Sequence, residues 1–280
     1  MTAVILATAC AVVYGTADFF GGLATRRTQV LAVVALSQLA GLALVLVLLP
    51  VLPGTAGGPA LLWGLAAGLS GAAGLALFYR ALATGVMSVV APTTAVTSAA
   101  LPVLFGLATG ERPAFWALVG VVLALGSVLL VSQDRSAGGE KVPSAGLATA
   151  LLAGAGFGGF FILLAMAPAD AGLWPLVGAR LSSVTAVTLV ALATGRALRP
   201  RDGVGALRVI VAAGVLDMVA NVLYLLAQRQ GLLSLVAVLV SLYPASTLLL
   251  ARRVLGERLN GIQVTGVACA LGAVALIAVA

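Results

Sequence analysis

The chain alternates long apolar runs with short polar breaks from end to end. Each run is near the roughly 20 residues that a helix rising about 1.5 Å per residue needs to cross a bilayer core of about 30 Å. We therefore predict an all-α integral membrane protein with ten transmembrane helices. These cover residues 2–24, 30–51, 60–82, 86–108, 113–132, 145–167, 173–195, 206–228, 232–251 and 260–280.

Composition supports this prediction. Hydrophobic residues make up 62% of the chain and charged residues 8%, with a mean hydropathy of +1.21. A water-soluble surface needs more charge than that. The net charge of +7 comes from loops at the membrane surface, which excludes nucleic acid as a partner. Histidine is absent, so a proton-linked step would depend on a carboxylate. The cysteines, Cys10 and Cys269, are expected to be packing residues, and we expect no metal and no cofactor.

The second half of the chain repeats the first. Moved by 146 positions, "GERPAFWALVGVVLALGSVLL" lies on "GERLNGIQVTGVACALGAVAL", and Ser88 lies on Ser234. A shift of 145 sets "LSQLAG" over "LSSVTA". We predict a first five-helix unit over 1–133, a connecting loop over 134–144 and a second unit over 145–280. Because five is odd, the second unit enters the membrane from the opposite side. Such inverted repeats are typical of secondary transporters, whose substrate site lies between the copies.

These units resemble a known family. Each ends in a Gly-Glu-Arg loop followed by a Gly-rich last helix, and the early "YGTADFFGGLATRR" is similar to a motif of bacterial members. The whole chain resembles the EamA-type proteins of the drug/metabolite transporter superfamily. The resemblance implies a multi-pass transporter of the bacterial inner membrane, and not an enzyme. It favours export of amino acids or related metabolites without naming a substrate.

The Gly-Glu-Arg tripeptide marks the same tight connection in both units. We expect Glu111 and Glu257 to lie at helix N-termini, where the dipole favours a negative charge, and Arg112 and Arg258 to anchor the membrane interface. A direct role of this loop motif in substrate binding is the alternative.

Polar groups at membrane depth are the candidates for the transport site, because a charge there is costly unless it is paired or lines a wet cavity. The eighth run carries four of them at helical spacing, on one stripe. The stripe either lines the cavity between the units or packs against neighbouring helices. Its members are Asp217, Asn221, Tyr224 and Gln228.

Further candidates lie on other runs. Asp18 is too deep to be fully hydrated, and Tyr14 lies one turn away on the same face. Arg180 needs an anionic partner, which is Asp18, Asp217 or a substrate. Thr97 and Tyr243 lie on the Pro-containing fourth and ninth runs, where hydroxyls bond either to backbone carbonyls or to a ligand.

We therefore expect a secondary active transporter that moves a small organic metabolite by alternating access, with protons as the candidate coupling ion. It would act in membrane lipid as a monomer or homodimer. Two alternatives stay open. A translocase of a lipid or isoprenoid phosphate would hold phosphate with Arg180 and Arg80, and a scaffold would transport nothing. No catalytic His or paired-carboxylate motif indicates an enzyme.

Charge and family resemblance disagree about orientation. The loops that follow odd-numbered helices hold twelve Lys and Arg residues, whereas the opposite side holds only Arg112 and Arg229. The positive-inside rule then puts both termini outside the cytoplasm. Family members of this kind are generally drawn with both termini inside.

Overall fold

The computed structural model describes residues 1–25, 28–84, 87–131, 144–195, 203–255 and 260–280. Within them the regular structure is helical throughout, which confirms the prediction of an all-α protein. A short 3-10 turn, Ala169–Ala171, precedes α7. The α-helices are α1 Thr2–Thr25, α2 Val30–Leu48, α3 Gly58–Thr84, α4 Met87–Ala108, α5 Phe115–Val131, α6 Ser144–Ala165, α7 Trp174–Ala193, α8 Gly203–Gln228, α9 Leu233–Val240, α10 Tyr243–Leu255 and α11 Gly261–Val279.

The helices fit a membrane protein with ten spans. In the described residues, eight segments are long and apolar enough to cross a bilayer, and two apolar segments, Thr93–Ala108 and Phe115–Leu130, are shorter. Many large apolar side chains on their outer faces are exposed, among them Val47, Val122 and Leu192. In water this surface would favour aggregation, whereas lipid covers it without penalty.

The ninth span is not one helix. The sequence predicts a single helix over 232–251, but the structure has two, α9 and α10, separated at Ser241 and Leu242. Pro244 accounts for the break, because its ring excludes a backbone N–H and collides with the carbonyl four residues earlier. The Ser241 hydroxyl bonds back to the Val238 carbonyl at 2.7 Å, which satisfies one of the carbonyls at the end of α9.

Contacts between the two halves come in symmetric pairs. When each helix is replaced by its equivalent in the other half, one observed contact becomes another. Helix α1 packs along α8, and α3 packs along α6. The contact of α2 with α8 has its counterpart in α3 with α7, and that of α4 with α6 in α1 with α9 and α10. In three further contacts the two helices are equivalents of each other: α2 with α7, α4 with α9 and α5 with α11. The halves therefore interlock across a pseudo-twofold axis. The predicted connecting loop, 134–144, lies outside the described residues except for Ser144.

Close helix crossings depend on glycine. A Cβ at Gly15 of α1 would lie 2.5 Å from the Tyr243 carbonyl oxygen at the start of α10. At the same crossing, the Thr247 hydroxyl on α10 donates to the Gly15 carbonyl at 3.0 Å. The absence of a side chain at Gly15 thus brings α1 and α10 together beside the polar residues described next.

Candidate functional site

Three helices bring a polar network together at membrane depth. The Arg180 guanidinium on α7 donates to the Asp217 carboxylate on α8 and to the Gln38 side-chain carbonyl on α2. Arg180 is only 7% exposed, so the pair neutralises a charge that would otherwise be buried alone. Of the partners the sequence left open for Arg180, the structure shows Asp217.

The network lies on the pseudo-twofold axis. The Ser183 hydroxyl on α7 donates to Gln38 Oε1 at 3.0 Å. Gln38 and Ser183 are equivalent positions of the two halves, because "LSQLAG" and "LSSVTA" align with a shift of 145. Equivalent residues of an inverted repeat meet only at its symmetry axis. The polar network therefore lies at the interface between the halves, where transporters of this architecture bind substrate.

Gly41 makes room for Arg180. A Cβ at this position of α2 would lie 3.3 Å from Arg180 Nε and 3.4 Å from the Gly214 carbonyl oxygen on α8. The guanidinium reaches both of its partners across the space that this missing side chain leaves.

The polar stripe of α8 divides into an accessible end and a packed end. The Asp217 side chain is 36% exposed, although it pairs with Arg180. Asn221 is 2% exposed, and its side-chain N–H group donates to the Asp217 carbonyl at 2.7 Å and to the Asp217 carboxylate at 3.3 Å. Tyr224 is fully buried and donates to the Phe161 carbonyl at 2.9 Å. Gln228, at the end of the helix, is half-buried.

Aromatic rings from four helices meet beside this stripe. The Tyr14 ring on α1 is 6.4 Å from Tyr243 on α10 and 6.5 Å from Phe161 on α6, centroid to centroid. Phe161 is 4.6 Å from Tyr224 on α8. Tyr14 also lies within the electrostatic range of Asp217 and Arg180. The rings form a continuous wall between the halves, which we call the aromatic wall: Tyr14, Phe161, Tyr224 and Tyr243.

Asp18 lies at the edge of the aromatic wall and is exposed, although its neighbours Ala17 and Phe19 are buried. Its carboxylate interacts electrostatically with Asp217 on α8 and with Tyr243 on α10. Asp18 therefore lies on the side of α1 that faces α8 and α10, and its side chain is not covered by them. Among the described residues, Asp18 has no hydrogen bond and no ion pair.

Thr97 is not part of the network. Its hydroxyl bonds to the Thr93 carbonyl one turn earlier at 2.7 Å, and its side chain packs where a Cβ at Gly154 of α6 would collide. This is the backbone bonding that Thr commonly makes within a membrane helix.

Glu111 caps a helix of the other half. Its carboxylate accepts the backbone N–H groups of Leu233 at 2.6 Å and Ser234 at 3.0 Å, at the start of α9. The sequence predicts a carboxylate at a helix N-terminus but does not indicate that α9 is the helix. Arg112 beside it is exposed. Glu257, Arg258 and the side chain of Arg80 lie outside the described part of the chain.

The loops on the side of Glu111 hold a second contact that sequence reasoning missed. Arg229, after α8, donates to the Gly172 carbonyl at 2.7 Å, and Thr55 donates to the Asp170 carboxylate at 2.7 Å. Burial lowers the pKa of the Arg229 guanidinium, and the Asp170 carboxylate opposes that shift. Nothing in the spacing of Arg229 along the chain indicates this contact. Together with the Glu111 cap, these bonds link loops on one face of the molecule.

The described residues hold no group of three or more His, Cys, Asp or Glu side chains placed to bind a metal ion. Within the described residues, the site offers an ion pair, a carboxylate without a cation beside it and an aromatic surface. Groups of these kinds are able to bind and orient a ligand.

Comparison with known proteins supports the architecture. A solved structure described only as "Crystal structure of protein" superposes with a TM-score of 0.82 at 18% identity, over 99% of this chain and 98% of that one. At this identity the similarity shows a shared fold alone. No curated protein sequence matches the chain.

A family model places the chain in a superfamily. The model of the EamA-like transporter family matches residues 144–279, the second of the two predicted units. With the ten-span helical fold, this match confirms the resemblance seen in the sequence. Residues 144–279 match the EamA-like transporter family, and this match places the protein among the membrane transporters of the drug/metabolite transporter superfamily.

Proposed function

We propose that this transporter is a secondary active carrier that exports a small organic metabolite, an amino acid or a related compound, by alternating access. One observation supports this most strongly. The Gln38–Ser183 contact joins equivalent positions of the two halves and continues into the Arg180–Asp217 pair. A polar network on the symmetry axis is the part of an inverted repeat that both halves share as they rock, so it is the natural place for a substrate.

The coupling residue in this proposal is Asp18. Arg180 already compensates Asp217, whereas Asp18 has no cation beside it among the described residues. An uncompensated carboxylate at membrane depth is costly, and it is stabilised by a proton or by a cationic group of a ligand. Competition between the two for one carboxylate would couple the movement of substrate to that of protons.

The arrangement of loops suits one state of such a cycle. The face that carries Glu111 and Arg229 is held by bonds between α9 and the loop before α5, and between the loops around α8 and α7. Asp18 lies in the half of α1 nearer the opposite face and is exposed. A site closed on one face and accessible from the other is what alternating access requires.

The lipid-translocase alternative is less well supported. It needs a guanidinium free to hold a phosphate, and Arg180 is occupied by Asp217 and Gln38. A phospholipid or isoprenoid phosphate that copurifies at one molecule per protein would favour it nevertheless.

Uptake into proteoliposomes tests the proposal. We would measure accumulation of a mixed panel of amino acids, amines and nucleobases under an imposed pH gradient, comparing the wild type with Asp18→Asn and Asp217→Asn. Asp134→Asn is the matched control, since it makes the same chemical change in the predicted connecting loop.

Gradient-driven accumulation that both membrane variants lose and Asp134→Asn keeps would support the carrier. If Asp18→Asn kept facilitated flux but lost the response to the gradient, that would assign the coupling to this carboxylate. No flux of any panel member through the wild-type protein, with lipid translocation in the same vesicles, would overturn the proposal in favour of the alternative.

A further inference from the structure

We infer that the site is selective for an organic cation, an aromatic or aliphatic amine without a carboxylate, over the zwitterionic amino acid of the same skeleton. This rests on the proposed function and narrows its substrate class. The inference depends on three features of the described residues: the balance of charge, the donors available to an anion, and the aromatic wall.

The charge balance favours a cation. The described residues of the site hold two carboxylates, Asp18 and Asp217, and one guanidinium, Arg180. Arg180 pairs with Asp217, which leaves the negative charge of Asp18 uncompensated. A monovalent cation neutralises the site, whereas a zwitterion adds a carboxylate that itself needs a partner at membrane depth.

The one guanidinium among the described residues of the site is already paired. The Arg180 guanidinium bonds to Asp217 and Gln38. The N-terminus of α10 lies beside Asp18 but offers little, because Pro244 has no N–H group and the Ala245 N–H bonds to the Leu242 carbonyl at 3.0 Å. A substrate carboxylate would therefore compete with Asp217 for the charge of Arg180.

Acceptors and aromatic faces for a cation remain available. The side-chain oxygen of Asn221 is buried and has no hydrogen-bond partner in the described part of the chain, although the same side chain bonds to Asp217 through its nitrogen. The aromatic wall presents Tyr14 and Tyr243 next to Asp18. A carboxylate, a free amide oxygen and aromatic rings are the groups that bind an organic ammonium ion.

Three ligands that share one phenyl ring separate these possibilities. Phenethylamine carries only the ammonium group, phenylalanine carries both charges, and 3-phenylpropionate carries only the carboxylate. We would measure their binding by titration calorimetry to the full chain in nanodiscs, with wild type, Asp18→Asn, Asp18→Glu and Asp134→Asn.

The expected result is that phenethylamine binds the wild type roughly tenfold or more tightly than phenylalanine, and that 3-phenylpropionate does not bind. Asp18→Asn should weaken phenethylamine binding by about tenfold or more, since a charge-assisted contact is lost. Asp18→Glu should retain most of the affinity, and Asp134→Asn all of it. Retention in Asp18→Glu also excludes a general loss of folding at this position.

Two results would overturn the inference and leave the transporter proposal intact. In one, phenylalanine binds as tightly as phenethylamine, or phenethylamine binding survives Asp18→Asn. In the other, phenethylamine does not bind the wild type, while the proteoliposome assay shows gradient-driven flux of other metabolites. Absence of flux in that assay, by contrast, counts against the proposed function itself.

Discussion

At the scale of single residues, the Arg180–Asp217 pair is the point where removal of one side chain has the largest expected effect. Asp217→Asn leaves Arg180, which is 7% exposed, without its compensating charge. Breaking a buried pair from one side costs roughly 3 kcal/mol, at the lower end of the usual range because Asp217 is partly accessible. We expect a lower thermal unfolding midpoint in detergent, measured by the fluorescence of the native tryptophans.

The double variant Arg180→Met with Asp217→Asn is the matched comparison. It removes both charges, so it should be more stable than either single variant. Additive losses in the double variant would show that the two side chains do not stabilise each other, contrary to the contact in the structure.

Part of the site can be predicted from the sequence at this scale, and part cannot. Asp18, Arg180 and Asp217 stand out because they are charged residues in apolar runs. The choice of Asp217 as the partner of Arg180 depends on helix rotation, which spacing along one helix does not fix. Gln38 and Ser183 lie within a repeated motif of the sequence, but their contact requires knowledge of where the symmetry axis passes.

At the scale of elements, the apolar runs locate every span to within a few residues because length and hydrophobicity are what a bilayer selects. The break between α9 and α10 is the exception. The sequence shows Pro244, but a proline in a membrane helix produces either a kink or a complete break. Packing decides between a kink and a break. Helix α1 crosses the start of α10 at Gly15, and the Gly15 carbonyl accepts a hydrogen bond from the Thr247 hydroxyl.

The cap that Glu111 provides predicts a local change in dynamics. Glu111→Ala removes the acceptor for the N–H groups of Leu233 and Ser234, and loss of such a cap costs roughly 1–2 kcal/mol. We expect faster hydrogen exchange at the amides of the first turn of α9, measured by mass spectrometry. Arg112→Gln, next to it and exposed, should leave that exchange unchanged, and equal effects of both variants would contradict the cap.

Two glycines of α1 give a matched test of the crossing with α10. A Cβ at Gly15 meets the Tyr243 carbonyl oxygen at 2.5 Å, whereas a Cβ at Gly21 meets nothing within 4 Å. Gly15→Ala should lower stability by roughly 1–3 kcal/mol through overpacking. Gly21→Ala should be neutral or slightly stabilising, since alanine is the better helix former. Equal unfolding midpoints for the two variants would show that α1 does not approach α10 as described.

At the scale of the whole molecule, the contacts between the halves come in symmetric pairs, as the repeat in the sequence leads one to expect. Two copies of one unit have the same packing surfaces. How the two halves pack against each other could not be predicted from the sequence. The repeat shows which positions are equivalent, but it does not show which residues are in contact. The prediction that stays open at this scale is orientation.

The charge bias predicts that both termini lie outside the cytoplasm, with twelve Lys and Arg residues on one side against Arg112 and Arg229 on the other. A C-terminal alkaline phosphatase fusion should then be active, and a C-terminal green fluorescent protein fusion dark. The reverse pattern would show that the topology generally drawn for the family holds here despite the charge.

The distance across the closed face tests alternating access most directly. Labels would be placed at Arg112→Cys and Gln230→Cys, two exposed positions in loops on that face, with Cys10→Ala and Cys269→Ala as background. Pulsed electron spin resonance would then measure their separation in nanodiscs at acidic and alkaline pH. If the halves rock and this motion is coupled to protonation of Asp18, we expect two distance populations. Their ratio should change with pH in the wild type and should be independent of pH in Asp18→Asn. A single population that is the same at both pH values would contradict it.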